Sequence, residues 1–336
     1  SFPNIDSLQH EETMREFQFP HRNHKEIYAV EYKKGGRQQD ATQFFRINPH
    51  RLNLGSIGLQ MKKDDGTSVQ IDDVTAIDQQ LKLYDGTIES TFSIKGHKVE
   101  VMTSAMQDRD ATIYRIKSPL LANKQVGIVI RFPYPTGKHA DDASDWNNSS
   151  KHISRIVSTS PNSAVIERHL DNTRYYLRLR WEGNAQIKEE ARHRFTITTQ
   201  SNVLTLEAEY SLQNKFTNDS FVFDQHIRAI QKAWASFWQN GGIVDFSQCT
   251  DTRAKELERR VILSQYLTQV NCAGTFPPQE TGLTYNSWFG RPHLEMAWWH
   301  AVHFSLWNRT NTLAKMLEWY NTTAYPEAKK IAMRQG

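Results

Sequence analysis

Hydrophobic periodicity changes once along this chain, and that change fixes the order in which sheet and helix are laid down. Between Ile27 and Tyr210, apolar and polar residues alternate in short runs: IYAVEY, QFFRI, LKLYDGTIESTFSI, HKVEVMTSAM, ATIYRIKS, QVGIVIRFPY, HISRIVST, SAVIERHL, RYYLRLRW, RFTITT and VLTLEAEY. A period of two puts every second side chain on one face, so each run reads as a half-buried strand. Asp85-Gly86, Lys95-Gly96-His97 and Pro161-Asn162 supply hairpin turns between neighbours. So many strands without intervening helices predict stacked antiparallel sheets, a large sandwich. After Asn218 the period lengthens to that of a helix. Phe223 to Asn240 carries Ile227, Ile230, Ala233 or Trp234, and Phe237 on one face and stops at Gly241-Gly242. Thr252 to Val270 follows Thr250 and Asp251 as candidate caps, with Leu257, Val261, Ser264 and Leu267 along a stripe. Further helices are predicted over Asn311 to Tyr320 and Pro326 to Met333.

This gives a polar lead-in over residues 1–26, a β domain over 27–218, a helical connection over 219–249 and a helical segment over 250–336. A chain of 336 residues has room for two cores. One polar loop, Thr136 to Ser150, interrupts the strands and holds Trp146, expected as a hydrophobic plug. The formal charge of +4 comes from interleaved basic and acidic residues, so no nucleic-acid partner is expected. The basic group Arg178, Arg180, Lys188, Arg192, His193 and Arg194 is expected to form a solvated sheet face. No run of eighteen apolar residues occurs, so no membrane span is expected. Cys249 and Cys272 flank a helix long enough to hold them apart, which argues against a disulfide. The opening Ser1-Phe2-Pro3, without an initiator Met, suggests a mature end and a periplasmic or secreted location.

Chemistry concentrates between Pro277 and Arg309. Trp288, Phe289, Trp298, Trp299, Phe304 and Trp307 are packed there among Arg291, His293, Glu295, His300 and His303. Aromatic faces beside charged and imidazole groups suit a ligand with apolar C–H faces and many hydroxyls, and a sugar ring is such a ligand. Pro292 suits a first helical turn, so a helix is predicted from Arg291 to Trp307. Trp288, Phe289, Arg291, His293, Glu295 and Trp299 are then the candidate substrate-binding residues, with Trp288, Arg291, His293 and Glu295 converging on one face of a pocket. Trp298, Phe304, Leu306 and Trp307 are expected in the core. Zinc helices use His at i and i+4 around a catalytic Glu; that spacing is absent, and no metal site is expected. Neither a Gly-x-Ser-x-Gly elbow nor a reactive cysteine context occurs. Glycoside hydrolysis needs two carboxylates across the bond, and this stretch offers Glu280 and Glu295.

The strings WASFWQNGG, DFS, RAKELERRVILSQYL, CAGTFPPQETGLTYNSWFGRPHLEMAWWHAVHFSLWNR and AKKIAMRQG resemble bacterial proteins of the six-hairpin glycosidase superfamily, relatives of the maltose, trehalose and kojibiose phosphorylases. That resemblance implies an N-terminal antiparallel β-supersandwich, a helical linker and the first part of an (α/α)6 barrel. It implies inverting hydrolysis or phosphorolysis of an α-linked disaccharide or oligosaccharide. Inorganic phosphate would be the co-substrate of a phosphorylase, and no cofactor is implied. Glu295 falls on the glutamate of the family's Trp-Asp-Thr-Glu motif, His293 stands where its Asp would be, and Trp288 is the nearest equivalent of its Trp. The family's general acid lies on a later helix, so no catalytic residue is expected in this chain, a fragment inactive alone, with Glu295 the runner-up acid. A non-catalytic carbohydrate-binding or interaction module is the alternative, and a homo-oligomer stays open.

Overall fold

The structure is a computed structural model that describes residues 8–21 and 23–335. Ser1-Phe2-Pro3, from which export was expected, lie outside the described residues. Asn53–Tyr134 and Ser144–Gly241 form one compact unit, and the chain up to Leu52, Pro135–Ala143 and the chain from Gly242 onward form another.

The first of these is a β unit. Its eight-stranded antiparallel sheet runs in the order β4 (Val74–Lys82), β5 (Thr87–Ile94), β6 (His97–Ala105), β7 (Ala111–Lys117), β14 (Val203–Ser211), β11 (Thr173–Trp181), β10 (Ser163–Leu170), β9 (His152–Ser160). A four-stranded sheet, β12 (Ala185–Ala191), β13 (Arg194–Thr199), β8 (Val126–Arg131) and β3 (Ser56–Met61), completes the sandwich. β3 and β12 are additions to the expected strands; SIGLQM and AQIKEEA carry too little apolar alternation to announce themselves. The hairpin turns expected at Lys95-Gly96 and Pro161-Asn162 are present, pairing Ile94 with His97 and Ser160 with Ser163. Inward-facing Ile116, Ile166, Leu177, Leu179 and Leu206 of the large sheet meet Ile128, Ile130, Phe195 and Ile197 of the small one in a single core. Each such side chain contributes about 2 kcal/mol on burial.

Helix α3 (Phe223–Gln239), read from the sequence as part of a linker, packs on β6, β7 and β14 within this unit. Phe223, Ile227, Ile230, Trp234 and Trp238 recur at helical spacing and are all buried. Trp238 donates its indole N–H to the Leu83 carbonyl at 2.9 Å. The expected solvated face of basic residues is instead partly an internal network. Arg180 Nε donates to buried Glu207 at 2.5 Å, Arg109 reaches Glu207 at 2.8 Å, and both arginines also bind Asp219. Burying Glu207 without these guanidinium partners would be costly, which is why the arginines turn inward. Against the penalty of its partial burial, a hydrogen bond from His226 and then the two arginines hold Asp219 down at about 2. Trp146 is not the plug expected: it is 43% exposed, with the Arg131 guanidinium 4.6 Å above its ring.

The second unit begins where a polar lead-in was expected. A 3₁₀ turn at His10–Thr13 leads into a hairpin, β1 (Met14–Phe19) and β2 (His24–Ala29), closed by Arg15–Tyr28 and Phe17–Glu26 register pairs. QFFRI, read as a strand, lies in helix α1 (Arg37–Ile47). Its adjacent phenylalanines break the alternation of a strand, and a helix lets Thr42 donate to Gln38 O at 2.9 Å while Phe45 meets His10 edge-on. Four helices then follow in the C-terminal part: α4 (Ala254–Cys272), α5 (Ala297–Leu306), α6 (Thr310–Trp319) and, after a π turn, α7 (Tyr325–Gln335). α5 packs on α4 and on α6, around Cys272, Ala301, Phe304 and Met316. The predicted stripe of α4 does not form the core: Leu257 and Leu267 are exposed, and Tyr266, Gln265 and Cys272 are buried instead. Both cysteines are free thiols.

Candidate functional site

The loop ahead of α5 is held by an unusual backbone. Trp288, Phe289 and Gly290 all lie in the left-handed region, at φ of 48°, 61° and 67°. Glycine takes that conformation freely, whereas a bulky residue there costs about 1–3 kcal/mol and persists only where surroundings enforce it. The enforcement is visible. Phe289 N–H donates to His139 O at 3.0 Å, Phe289 O accepts from Arg51 N–H at 3.0 Å, and Gly290 N–H closes on Ser287 O at 2.8 Å. Asn286 adds a 2.8 Å bond to Asp141 O and a side-chain bond to Arg51 O at 3.0 Å. A Cβ on Gly290 would come within 2.4 Å of the Arg51 Cβ, so glycine alone fits.

This turn shortens the helix predicted from Arg291. Residues 291–293 stay extended, Leu294–Met296 make one 3₁₀ turn, and α5 opens at Ala297. Pro292 keeps Arg291, the residue before it, out of the α region at ψ 152°, and His293 is extended as well at ψ 93°.

Of the four residues expected to converge on a pocket face, His293 lies beside both Trp288 and Glu295. The Trp288 ring, 50% exposed, lies 6.4 Å from His293 and edge-on to His139 at 4.5 Å. His293 Nε2 is 3.3 Å from Glu295, and its Nδ1 is 3.5 Å from Glu280, close enough for charge pairing though without hydrogen-bond alignment. Ser287 donates to the same Glu280 oxygen at 3.4 Å. Arg291 departs from the group. It donates to the carbonyls of Pro49 at 3.1 Å and Phe45 at 2.9 Å, and to that of Asn48, so its guanidinium is engaged in holding the loop. Phe289 is half-buried against His139. Trp299 is 64% exposed, one helical turn from His303, whose Nε2 meets the Trp299 carbonyl at 2.5 Å. Burial pushes His300 below the usual imidazole range.

The core expected from Trp298, Phe304, Leu306 and Trp307 is realised by Phe304 alone in full. Trp298 and Leu306 are 66% and 76% exposed, because α5 meets helices on two sides only. Trp307 stacks on His303 at 5.3 Å and lines a cavity of about 360 Å³ with Val261, Ser264 and Thr268. Sequence reasoning missed His139, Asn286 and the role of Glu280. His139 was legible only as part of an off-pattern polar loop in which Trp146 drew attention. Among the described residues, no group of three or more His, Cys, Asp or Glu side chains is placed to hold a metal ion. No described helix is long and apolar enough to cross a membrane.

No family model matches this sequence, and no curated protein does. Structural likeness is faint. A solved structure described as "Putative kojibiose phosphorylase from human microbiome" superposes with a TM-score of 0.45 at 12% identity, over 68% of this chain and 34% of that one. The chain therefore spans 34% of the length of that protein.

Proposed function

We propose that this chain is the sugar-binding part of a carbohydrate-active protein, a glycoside hydrolase or phosphorylase acting on an α-linked glycoside. The observation that carries the reading is the half-exposed Trp288, held on a strained turn beside His293, which in turn lies between Glu280 and Glu295. An aromatic face supplies the apolar half of sugar recognition, and carboxylate and imidazole groups supply partners for hydroxyls. Strain stored at an exposed aromatic is characteristic of a site whose side chain has a task beyond packing. The sequence resemblance to the six-hairpin glycosidases assigns Glu295 and His293 to sugar binding, and the helices after Gly242 would belong to the opening part of an (α/α)6 barrel.

Binding without turnover is the reading for this chain taken alone. Glu295 has a side chain 77% exposed, outside the water-excluded surroundings in which a catalytic group acts most strongly. The proton for the leaving oxygen would come from elsewhere in the parent protein, and phosphate would replace water as nucleophile in a phosphorylase. The test is turnover of α-linked disaccharides by the 336-residue chain, with and without inorganic phosphate, with Glu295→Gln beside it. Binding without product formation is expected. Activity lost specifically in Glu295→Gln would make Glu295 the acid; neither binding nor turnover would remove the sugar reading.

A further inference from the structure

The hairpin of β1 and β2 is a sheet of two strands only, paired from Met14–Ala29 at its base to Phe19–His24 beside its turn. The sheets of the β unit enclose a shared core, and α2 (Pro119–Ala122) and α3 pack on them. The hairpin has no such support: none of the six residues of β1 or the six of β2 is buried. Two strands alone are marginal in water and gain stability from a third strand or a packed face. Among the described residues no further strand pairs with either edge.

Its side chains are sorted by face. Arg15, Phe17 and Phe19 share one face with their register partners Tyr28, Glu26 and His24. The Arg15 guanidinium lies 5.5 Å from the Phe17 ring centre, both phenylalanines meet Tyr28 edge-on at 6.2 and 6.1 Å, and Phe19 stacks on His24 at 5.6 Å. The other face is polar, with Glu16 paired to Lys25 at 2.9 Å and Gln18 donating to His24 O at 3.3 Å.

Two copies of β1 laid edge to edge, antiparallel about a two-fold axis perpendicular to the sheet, keep each face on its own side. The residue on the axis then sets the register. Centred on Arg15 or Glu16, the pairing puts like charges directly opposite each other, which is unfavourable. Centred on Gln18, it sets Glu16 against Pro20, which has no N–H for a ladder. Centred on Phe17, it sets Phe17 against Phe17 and, on both sides of the axis, Arg15 against Phe19 and Glu16 against Gln18. Those are aromatic, cation–π and hydrogen-bonding pairs with no like charges opposed. The edge of β2 is poorer. Lys25 or Glu26 on its axis opposes like charges, and Ile27 there sets Lys25 against Ala29.

We propose that the outer edge of β1 docks a second copy of this chain, the two hairpins joining into a four-stranded antiparallel sheet centred on Phe17. Tyr32 donates to Met14 O at 3.3 Å, so the paired stretch is Arg15–Phe19. An interface this short makes a reversible dimer.

Sedimentation equilibrium of the 336-residue chain, from about 1 to about 300 µM, tests this. A monomer–dimer equilibrium is expected, and Phe17→Lys, which sets two ammonium groups on the axis, weakens it about ten-fold or more. Because Phe17 also touches Tyr28, two substitutions of exposed Gln18 decide. Within the hairpin Gln18 lies opposite Lys25, whereas across the proposed interface it meets Glu16. Gln18→Glu therefore strengthens the hairpin itself but weakens the dimer about three-fold or more, and Gln18→Lys does the reverse. A purely structural role for Gln18 would move association with hairpin stability, in the opposite sense. A monomer at every concentration, which would leave the edge to an extended segment of another protein, overturns the proposal. So does a dimer indifferent to all three substitutions, or one tightened by Gln18→Glu.

Discussion

His293 Nε2 stands 3.3 Å from the Glu295 carboxylate, placing an imidazole between that residue and Glu280 on the far side of the ring. His293 is the residue that lies against both carboxylates, neither of which is buried. His293→Ala therefore lowers affinity for an α-linked disaccharide by about ten-fold, equivalent to roughly 1.4 kcal/mol, and changes stability little because exposed pairs contribute about 0–1 kcal/mol. Calorimetric titration beside a thermal melt checks both halves. Loss of binding accompanied by a large fall in Tm would instead make His293 a packing residue.

Gly86 permits the approach of α3 to the sheet. A Cβ there would lie 1.9 Å from Trp234 Nε1, and the residue already has φ of 65°. Gly86→Ala combines overpacking with left-handed strain and is expected to destabilise the β unit by about 2–4 kcal/mol. Urea denaturation followed by tryptophan fluorescence measures this; a change under about 0.5 kcal/mol would mean that α3 is not seated on this turn.

The β unit is expected to lose stability in mild acid. His152 is buried against Arg168, which donates to its Nδ1 at 2.8 Å, and stacks on His193 at 3.6 Å. Desolvation first, then the Arg168 charge, hold it down to about 3, with His193 and Arg192 acting in the same sense and Asp145 opposing. In the unfolded chain it protonates near its ordinary value of 6.5. Between those values the unfolded state binds the extra proton, so stability is full above 6.5 and falls as pH drops, by up to about 1.4 kcal/mol per unit. Depressed carboxylates such as Asp219 act only nearer pH 4 and below, so comparing pH 7 with pH 5 isolates the histidines. His152→Gln keeps an acceptor for Arg168 and should flatten this slope; an unchanged slope would assign it to other groups.

The β order was legible because period-two runs with Gly or Pro-Asn turns are local signals, as at Ile94 to His97. Helix α3 was equally plain from its apolar repeat, but its seat on β6, β7 and β14 is a tertiary fact that periodicity does not carry. α1 was misread because QFFRI is short, and short apolar runs suit either state until length decides. At the site, aromatic density pointed to Trp288, whereas the fate of Arg291 depended on carbonyls at Phe45, Asn48 and Pro49, distant in sequence. Pro292 was read as a helix starter, yet His293 stays extended after it and α5 opens only at Ala297.

The central claim is that Trp288 is an exposed stacking platform for a sugar. The direct measurement is calorimetric titration of the 336-residue chain with an α-linked disaccharide, wild type beside Trp288→Ala and Trp288→Phe. Loss of the ring is expected to weaken binding by about 1–2 kcal/mol, roughly ten-fold or more, with Trp288→Phe retaining part of it. Trp146→Ala, equally exposed but in the β unit, should bind as wild type. Disaccharide binding of full strength in Trp288→Ala, with the fold intact, would contradict the account.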